Sequence, residues 1–178
     1  EMSDVSLANR LLLSECDISV ERFRGGELSE DEVLKMHRAA GVIEKLPVYI
    51  DDKPSVTINY IRNHARLMHK RGKCGLIVVD YLQLTGSQVD NIRNREQEVA
   101  NISRTAKIIA KELNVPFIML SQLNREAEKR SDKKPMLADL RESGSIEQDA
   151  DIICLLYRPE YYKIKEIEYD NKSIPSTG

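Results

Sequence analysis

The apolar run Leu76-Ile77-Val78-Val79 ends in Asp80, and this is the first place in the sequence where chemistry suggests itself. A carboxylate at the end of a buried strand can hold the Mg2+ of a nucleotide through water, because magnesium keeps much of its hydration shell. An Asp there serves equally well to cap the following turn. A second run, Phe117-Ile118-Met119-Leu120, ends in Ser121-Gln122. The Gln122 amide could hydrogen-bond a terminal phosphate or an attacking water, or could simply cap the strand exit. Glu1 is of the type that activates water in phosphoryl transfer, although by residue type alone it reads as a solvated residue. In Asp139-Leu140-Arg141-Glu142-Ser143-Gly144-Ser145 an Arg and small residues precede a helix start, where free N–H groups can meet phosphate oxygens. The mixed charges of 123–139, among them Arg125, Lys129, Arg130 and Asp139, read as a solvated loop.

These residues need a scaffold. Val5, Ala8, Leu11 and Leu12 predict a first helix, capped by Ser3 or Asp4. Ser29 and Glu32 form a capping-box pair before Val33, Met36, Ala40 and Ile43. Val48-Tyr49-Ile50 reads as a short strand, followed by a helix that Ser55 can cap, with Ile58, Ile61, Ala65 and Met68 inward and Gly72 at its end. The β-branched run 76–79 suits a strand covered on both faces. A polar connection over 85–94 leads to a long helix with Val99, Ile102, Ala106, Ile109 and Leu113 inward. A short helix over 143–148 and a strand over 151–156 follow. Residues 163–169 alternate like an edge strand, and 171–178 read as a loop. Alternating strands and helices predict an α/β domain with a mainly parallel sheet. Asp80 and Gln122 would then share the carboxyl edge, where such sheets bind ligands.

Composition bounds the function. With 41% hydrophobic and 31% charged residues, 178 residues suffice for one domain with a core, and the mix argues against disorder. No apolar run approaches the roughly 20 residues of a membrane span. A formal net charge of −2 does not advertise nucleic-acid binding, so any such role belongs to a local surface. Cys16, Cys74 and Cys154 are odd in number and widely spaced, which fits a reducing cytoplasm better than a disulfide framework or zinc site. Aromatics are too sparse around 139–145 for a base-stacking platform. Glu1 reads as an internal residue of a longer chain.

Four ordered segments are together specific. They are Val79-Asp80-Tyr81-Leu82-Gln83-Leu84, Asn94-Arg95-Glu96-Gln97-Glu98-Val99, Leu120-Ser121-Gln122-Leu123-Asn124-Arg125, and the run from Asp139 through Glu142, Ser143, Gly144 and Gln148 to Asp151. With them the chain, from Glu1 to about Tyr162, resembles the C-terminal ATPase domain of the DnaB family of replicative DNA helicases. The resemblance implies a partial RecA-like domain, taken as a single domain over 1–178, in which the residues themselves read 161–178 as a weakly ordered edge strand and loop. It implies a cytoplasmic hexamer around single-stranded DNA, with ATP and Mg2+ bound between neighbours, primase and a helicase loader as partners, and no membrane. It makes Asp80 the magnesium carboxylate, Glu1 the catalytic glutamate and Gln122 the γ-phosphate sensor. Arg141, Glu142 and Gly144 would hold the DNA backbone.

The departures are equally specific. No G-x-x-x-x-G-K-[ST] phosphate loop occurs in the sequence, so this polypeptide by itself is expected not to hydrolyse ATP. In the family that loop lies upstream and its strand is central in the sheet, so apolar surface and self-association are expected here. Two other readings stand beside this one. A RecA-like recombination or repair ATPase shares Asp80 and Gln122 but should lack the 141–151 block. A non-catalytic RecA-like interaction module has little reason to keep Glu1, Asp80 and Gln122 together.

Overall fold

The computed structural model describes residues 3–84, 92–140, 144–164, 166–169 and 172–175. It divides into two compact units, Glu1–Pro54 and Ser55–Gly178.

The first unit is helical: α1 (Asp4–Cys16), α2 (Val20–Gly25) and α3 (Glu30–Ile43). Each begins at a serine in extended conformation, Ser3, Ser19 and Ser29, whose hydroxyl accepts a first-turn N–H. At α3 the expected capping box is complete, since Glu32 also accepts the Ser29 N–H at 2.8 Å. Arg22 donates to both Glu32 carboxylate oxygens, at 2.5 and 3.0 Å, and joins α2 to α3. The Ser29 N–H, then Arg22, hold the Glu32 carboxyl down to about 2. The buried residues are Leu13, Ile18 and Ala39. The faces thus differ from expectation, with Val5, Leu11 and Val33 exposed, because the helices turn a neighbouring stripe toward one another. Residues 48–50 form no strand, since a ladder requires a partner and the described residues of this unit contain no strand.

The second unit carries the sheet. Its first helix, α4 (Ile58–Lys70), is capped by Thr57, whose Oγ1 accepts the Tyr60 N–H at 3.2 Å. Ser55 is not the cap, because its φ of +56° takes it out of the extended conformation that a cap needs. After α4 the chain reverses at Gly72, in the left-handed region at φ +68°, as expected. Strands β1 (Ile77–Val79) and β2 (Phe117–Met119) pair in parallel, Ile77 opposite Phe117 and Val79 opposite Met119. The crossover between them contains α5 (Ile92–Leu113), which begins inside the stretch expected to be a connection.

The buried stripe of α5 is the one its spacing predicts. Val99, Ile102, Ala106, Ile109 and Leu113, three and four residues apart, are no more than 8% exposed. Val99, Ile102, Ile109 and Leu113 meet Ile58 and Ala65 of α4 and Leu82, with Ile77, Phe117 and Met119 packed against the cluster. Glu112 of α5 takes ion pairs from Arg62, at 2.8 Å, and Arg66 of α4. The two faces of the sheet, however, are unequally buried. Side chains alternate along a strand, so if Ile77 and Val79 face the core, Val78 faces away, at 57% exposed, as does Ile118 at 48%.

Beyond β2 come two 3-10 turns, Arg125–Lys129 and Leu137–Leu140, then α6 (Gly144–Asp149), which packs on α5. Residues 151–156, read as a strand from their apolar run, form none and pair with no described strand; Ile152 and Leu156 are over 80% exposed. Finally β3 (Glu166–Tyr169) and β4 (Lys172–Pro175) pair antiparallel as a hairpin, so a strand stands where the sequence reads as a loop. No helix among the described residues is long and apolar enough to cross a membrane.

Candidate active site

Parallel pairing places the ends of β1 and β2 side by side, and main-chain bonds continue past them. The Leu120 N–H donates to the Val79 carbonyl at 3.0 Å and the Leu82 N–H to the Leu120 carbonyl at 2.9 Å. Leu82, 1% exposed, opens a 3-10 turn (Leu82–Leu84) and roots it in the core. Asp80 therefore stands between a strand and an anchored turn, on a chain path with little freedom. Its side chain is exposed and has no hydrogen-bond or ion-pair partner among the described residues.

Gln122 stands at the matching end of β2, and its side-chain amide is likewise exposed and unpartnered among the described residues. Its backbone is held from across the sheet. Gln83 Oε1 accepts the Gln122 N–H at 3.3 Å, while Gln83 Nε2 donates to the Ser121 hydroxyl at 3.1 Å and the Gln122 carbonyl at 3.4 Å. One side chain from the β1 exit thus reads both polar groups of the Gln122 main chain and leaves its side chain free. Gln83 belongs to the Val79–Leu84 segment, but sequence reasoning gives it no role. A glutamine in a short turn carries no sequence signal that distinguishes a clamp from a solvated residue.

The charged loop is less solvated than its composition suggests. Asp139 has a side chain only 4% exposed, paired with Arg130. Burial favours the neutral acid, yet the Arg130 guanidinium first and the Met136 N–H second hold the carboxyl down to about 2. Lys129 pairs with Glu126 at 2.5 Å, and the Tyr157 hydroxyl donates to the Asp132 carbonyl at 2.6 Å. Among the described residues no three His, Cys, Asp or Glu side chains are grouped to hold a metal.

Of the expected site residues the structure brings Asp80 and Gln122 to one edge. Gly144 opens α6, and Glu1, Arg141 and Glu142 lie outside the described residues. Two parallel strands joined through a helix, with an acid at one carboxyl end and a glutamine at the next, are part of the core of a RecA-like ATPase domain.

Comparison with known proteins narrows the class. The model of the DnaB-like helicase C terminal domain matches residues 1–175. The chain belongs to this family. It is 46% identical to the replicative DNA helicase DnaB of Geobacillus stearothermophilus, over 96% of this chain and 37% of that protein. To the replicative DNA helicase DnaC of Bacillus subtilis it is 45% identical, over 98% of this chain and 38% of that protein. The chain thus spans less than two fifths of the length of these curated relatives. Among solved structures it is similar to an ATPase domain with a TM-score of 0.84 and 37% identity, covering 99% of this chain and 63% of that one. A DnaB-like replicative helicase studied with its interactions with primase also gives 0.84, at 38% identity, covering 96% of this chain and 41% of that one.

Proposed function

We propose that the protein to which this chain contributes is a replicative DNA helicase that couples ATP hydrolysis to translocation on single-stranded DNA. The observation that carries this reading is the pair of free functional groups, the Asp80 carboxylate and the Gln122 amide, at adjacent strand ends in a member of this family. Both suit MgATP. A lone exposed carboxylate fits a cation that keeps most of its water, and a free amide fits a terminal phosphate oxygen. Magnesium supplies charge neutralisation of the phosphates when bound.

In this reading Asp80 holds the hydrated magnesium, Gln122 reports the γ-phosphate, and Glu1 activates the attacking water. Gln83 sets where the Gln122 backbone lies. Arg141, Glu142 and Gly144 contact the DNA backbone, so binding is independent of base sequence and weakens with salt. Glu142 acts there through its N–H or by positioning an Arg. The active assembly is a ring of six copies in the cytoplasm, served by primase and a loader. This sequence lacks the residues that cradle the phosphates, so turnover requires the segment that carries them.

The test is ATP hydrolysis with and without single-stranded DNA, on a chain extended to the length of its relatives. DNA-stimulated turnover is expected, and Asp80→Asn should lower it by about a hundredfold or more, the scale of removing one preorganised electrostatic contact. Absence of turnover in the folded, assembled protein would replace this reading with a non-catalytic module.

A further inference from the structure

The stretch from Gln122 to Leu140 is irregular, yet it is closed on itself by an ion pair in which the Asp139 side chain is buried and that of Arg130 partly so. Arg130 donates from Nη1 to Asp139 Oδ1 at 2.8 Å and from Nη2 to Oδ2 at 2.5 Å. Asp139 Oδ2 also accepts the Met136 N–H at 2.7 Å, and Arg130 Nη2 reaches the Lys134 carbonyl at 2.6 Å. The Asp139 main chain is used as well, its carbonyl accepting the Asn124 N–H at 2.9 Å. Three points of the loop, residues 124, 130 and 134–139, are therefore tied at one carboxylate and its backbone.

Stability alone is a poor account of such a pair. Taking charges out of water is unfavourable, and an apolar pair of similar size often holds a loop as well. Arg130 Nε is moreover buried with no partner among the described residues, a further cost. What a two-pronged guanidinium–carboxylate pair supplies is direction, since both partners are planar and fix each other's orientation. The direction matters because of what lies at the two ends. Asn124 is two residues past Gln122, whose backbone Gln83 holds, and Asp139 is two residues before Arg141.

We infer that the Arg130–Asp139 pair is a positioning device that makes residues 122–140 move as one body, so that a change at Gln122 on loss of the γ-phosphate is carried to the DNA-contacting residues beginning at Arg141. The inference rests on the proposed function. Neither residue touches nucleotide or DNA in it; each acts through the residues it holds.

The experiment uses the protein extended to the length of its relatives, with Asp139→Asn, Arg130→Lys and both together. Asparagine keeps the shape and one acceptor but gives up the charge, and lysine keeps the charge but gives up the second prong. Three readouts are taken: turnover without DNA, the factor by which single-stranded DNA raises it, and the ratio of DNA affinities with a non-hydrolysable ATP analogue and with ADP. The expectation is DNA-free turnover within about twofold of the parent, a stimulation factor and an affinity ratio each reduced about tenfold, and no further loss in the double variant. An unchanged stimulation factor, or equal loss of DNA-free and stimulated turnover, overturns the inference, since a merely structural role lowers both together. If Asp139→Asn does not assemble, Arg130→Lys is held to the same two criteria. Absence of DNA stimulation in the parent is a different result, and it removes the proposed function itself.

Discussion

Gln83 spends both ends of its amide on main-chain and hydroxyl partners at the exit of β2, across the sheet from its own strand. Each neutral hydrogen bond is worth only about 1 kcal/mol, so the clamp contributes little to folding. Its value is placement. A reporting side chain displaced by a fraction of an ångström meets the terminal phosphate badly, and misplacement on the scale of about 1 Å can cost roughly a hundredfold in rate. In the protein extended to the length of its relatives, Gln83→Ala should therefore lower kcat by roughly ten- to a hundredfold while KM for ATP stays within about twofold. Gln83→Glu, which keeps an acceptor for the Gln122 N–H but loses the donor, should fall between. Steady-state kinetics decides this, and an unchanged kcat in Gln83→Ala would reduce the clamp to local scaffolding.

Two long amphipathic helices carry the second unit, and their docking is part apolar and part ionic. The α5 stripe centred on Ile109 supplies the apolar part, and Glu112 with Arg62 and Arg66 of α4 the ionic part. Arg66 first and Arg62 second hold the Glu112 carboxyl down to about 2, below the ordinary glutamate value of roughly 4.3. A depressed carboxyl stabilises the fold above its unfolded pKa, and the contribution disappears as pH falls through the folded one. The ionic contribution to α4–α5 docking should thus be complete near pH 5 and fade between about pH 4 and 2. Thermal melts across that window are expected to show a shallower acid loss in Glu112→Gln than in the parent. Asp139 and Glu32 fade over the same window, so the difference between the two melting series carries the test. Identical slopes would mean that the pairs are screened by solvent to no effect.

At the largest scale the dominant fact of the second unit is a sheet with a row of half-exposed apolar side chains. Leu76, Val78, Ile118 and Leu120 are between 41% and 57% exposed, and Ile152 and Leu156 more so. Burying one such side chain fully is worth about 1.5–3 kcal/mol, so a strand or a second copy laid on this face would gain several such terms. Self-association of the chain at high concentration is the expected outcome. Sedimentation velocity over a concentration series should show the mean species growing, and Val78→Thr with Ile118→Thr should reduce that growth while preserving β propensity. A single monomeric species at every concentration would show that this face is tolerated in water.

The sequence by itself determined what a long period or a specific motif carries, but not the buried faces of the shorter helices α1 and α3. The 3.6-residue spacing of α5 named its buried stripe, the Ser29–Glu32 capping box marked the start of α3, and two apolar runs around a crossover helix put Asp80 and Gln122 on one carboxyl edge. The ordered motifs that suggested the family are of the same kind. Only the tertiary structure decided which strand-like runs become strands. Residues 48–50 and 151–156 have the right composition but pair with no strand among the described residues, while 172–175 pairs with β3. It also revealed the Gln83 clamp and the Arg130–Asp139 pair, which join residues 39 and nine positions apart. Periodicity encodes which face a side chain takes, whereas a ladder or a buried ion pair depends on a second partner that folding must bring to it.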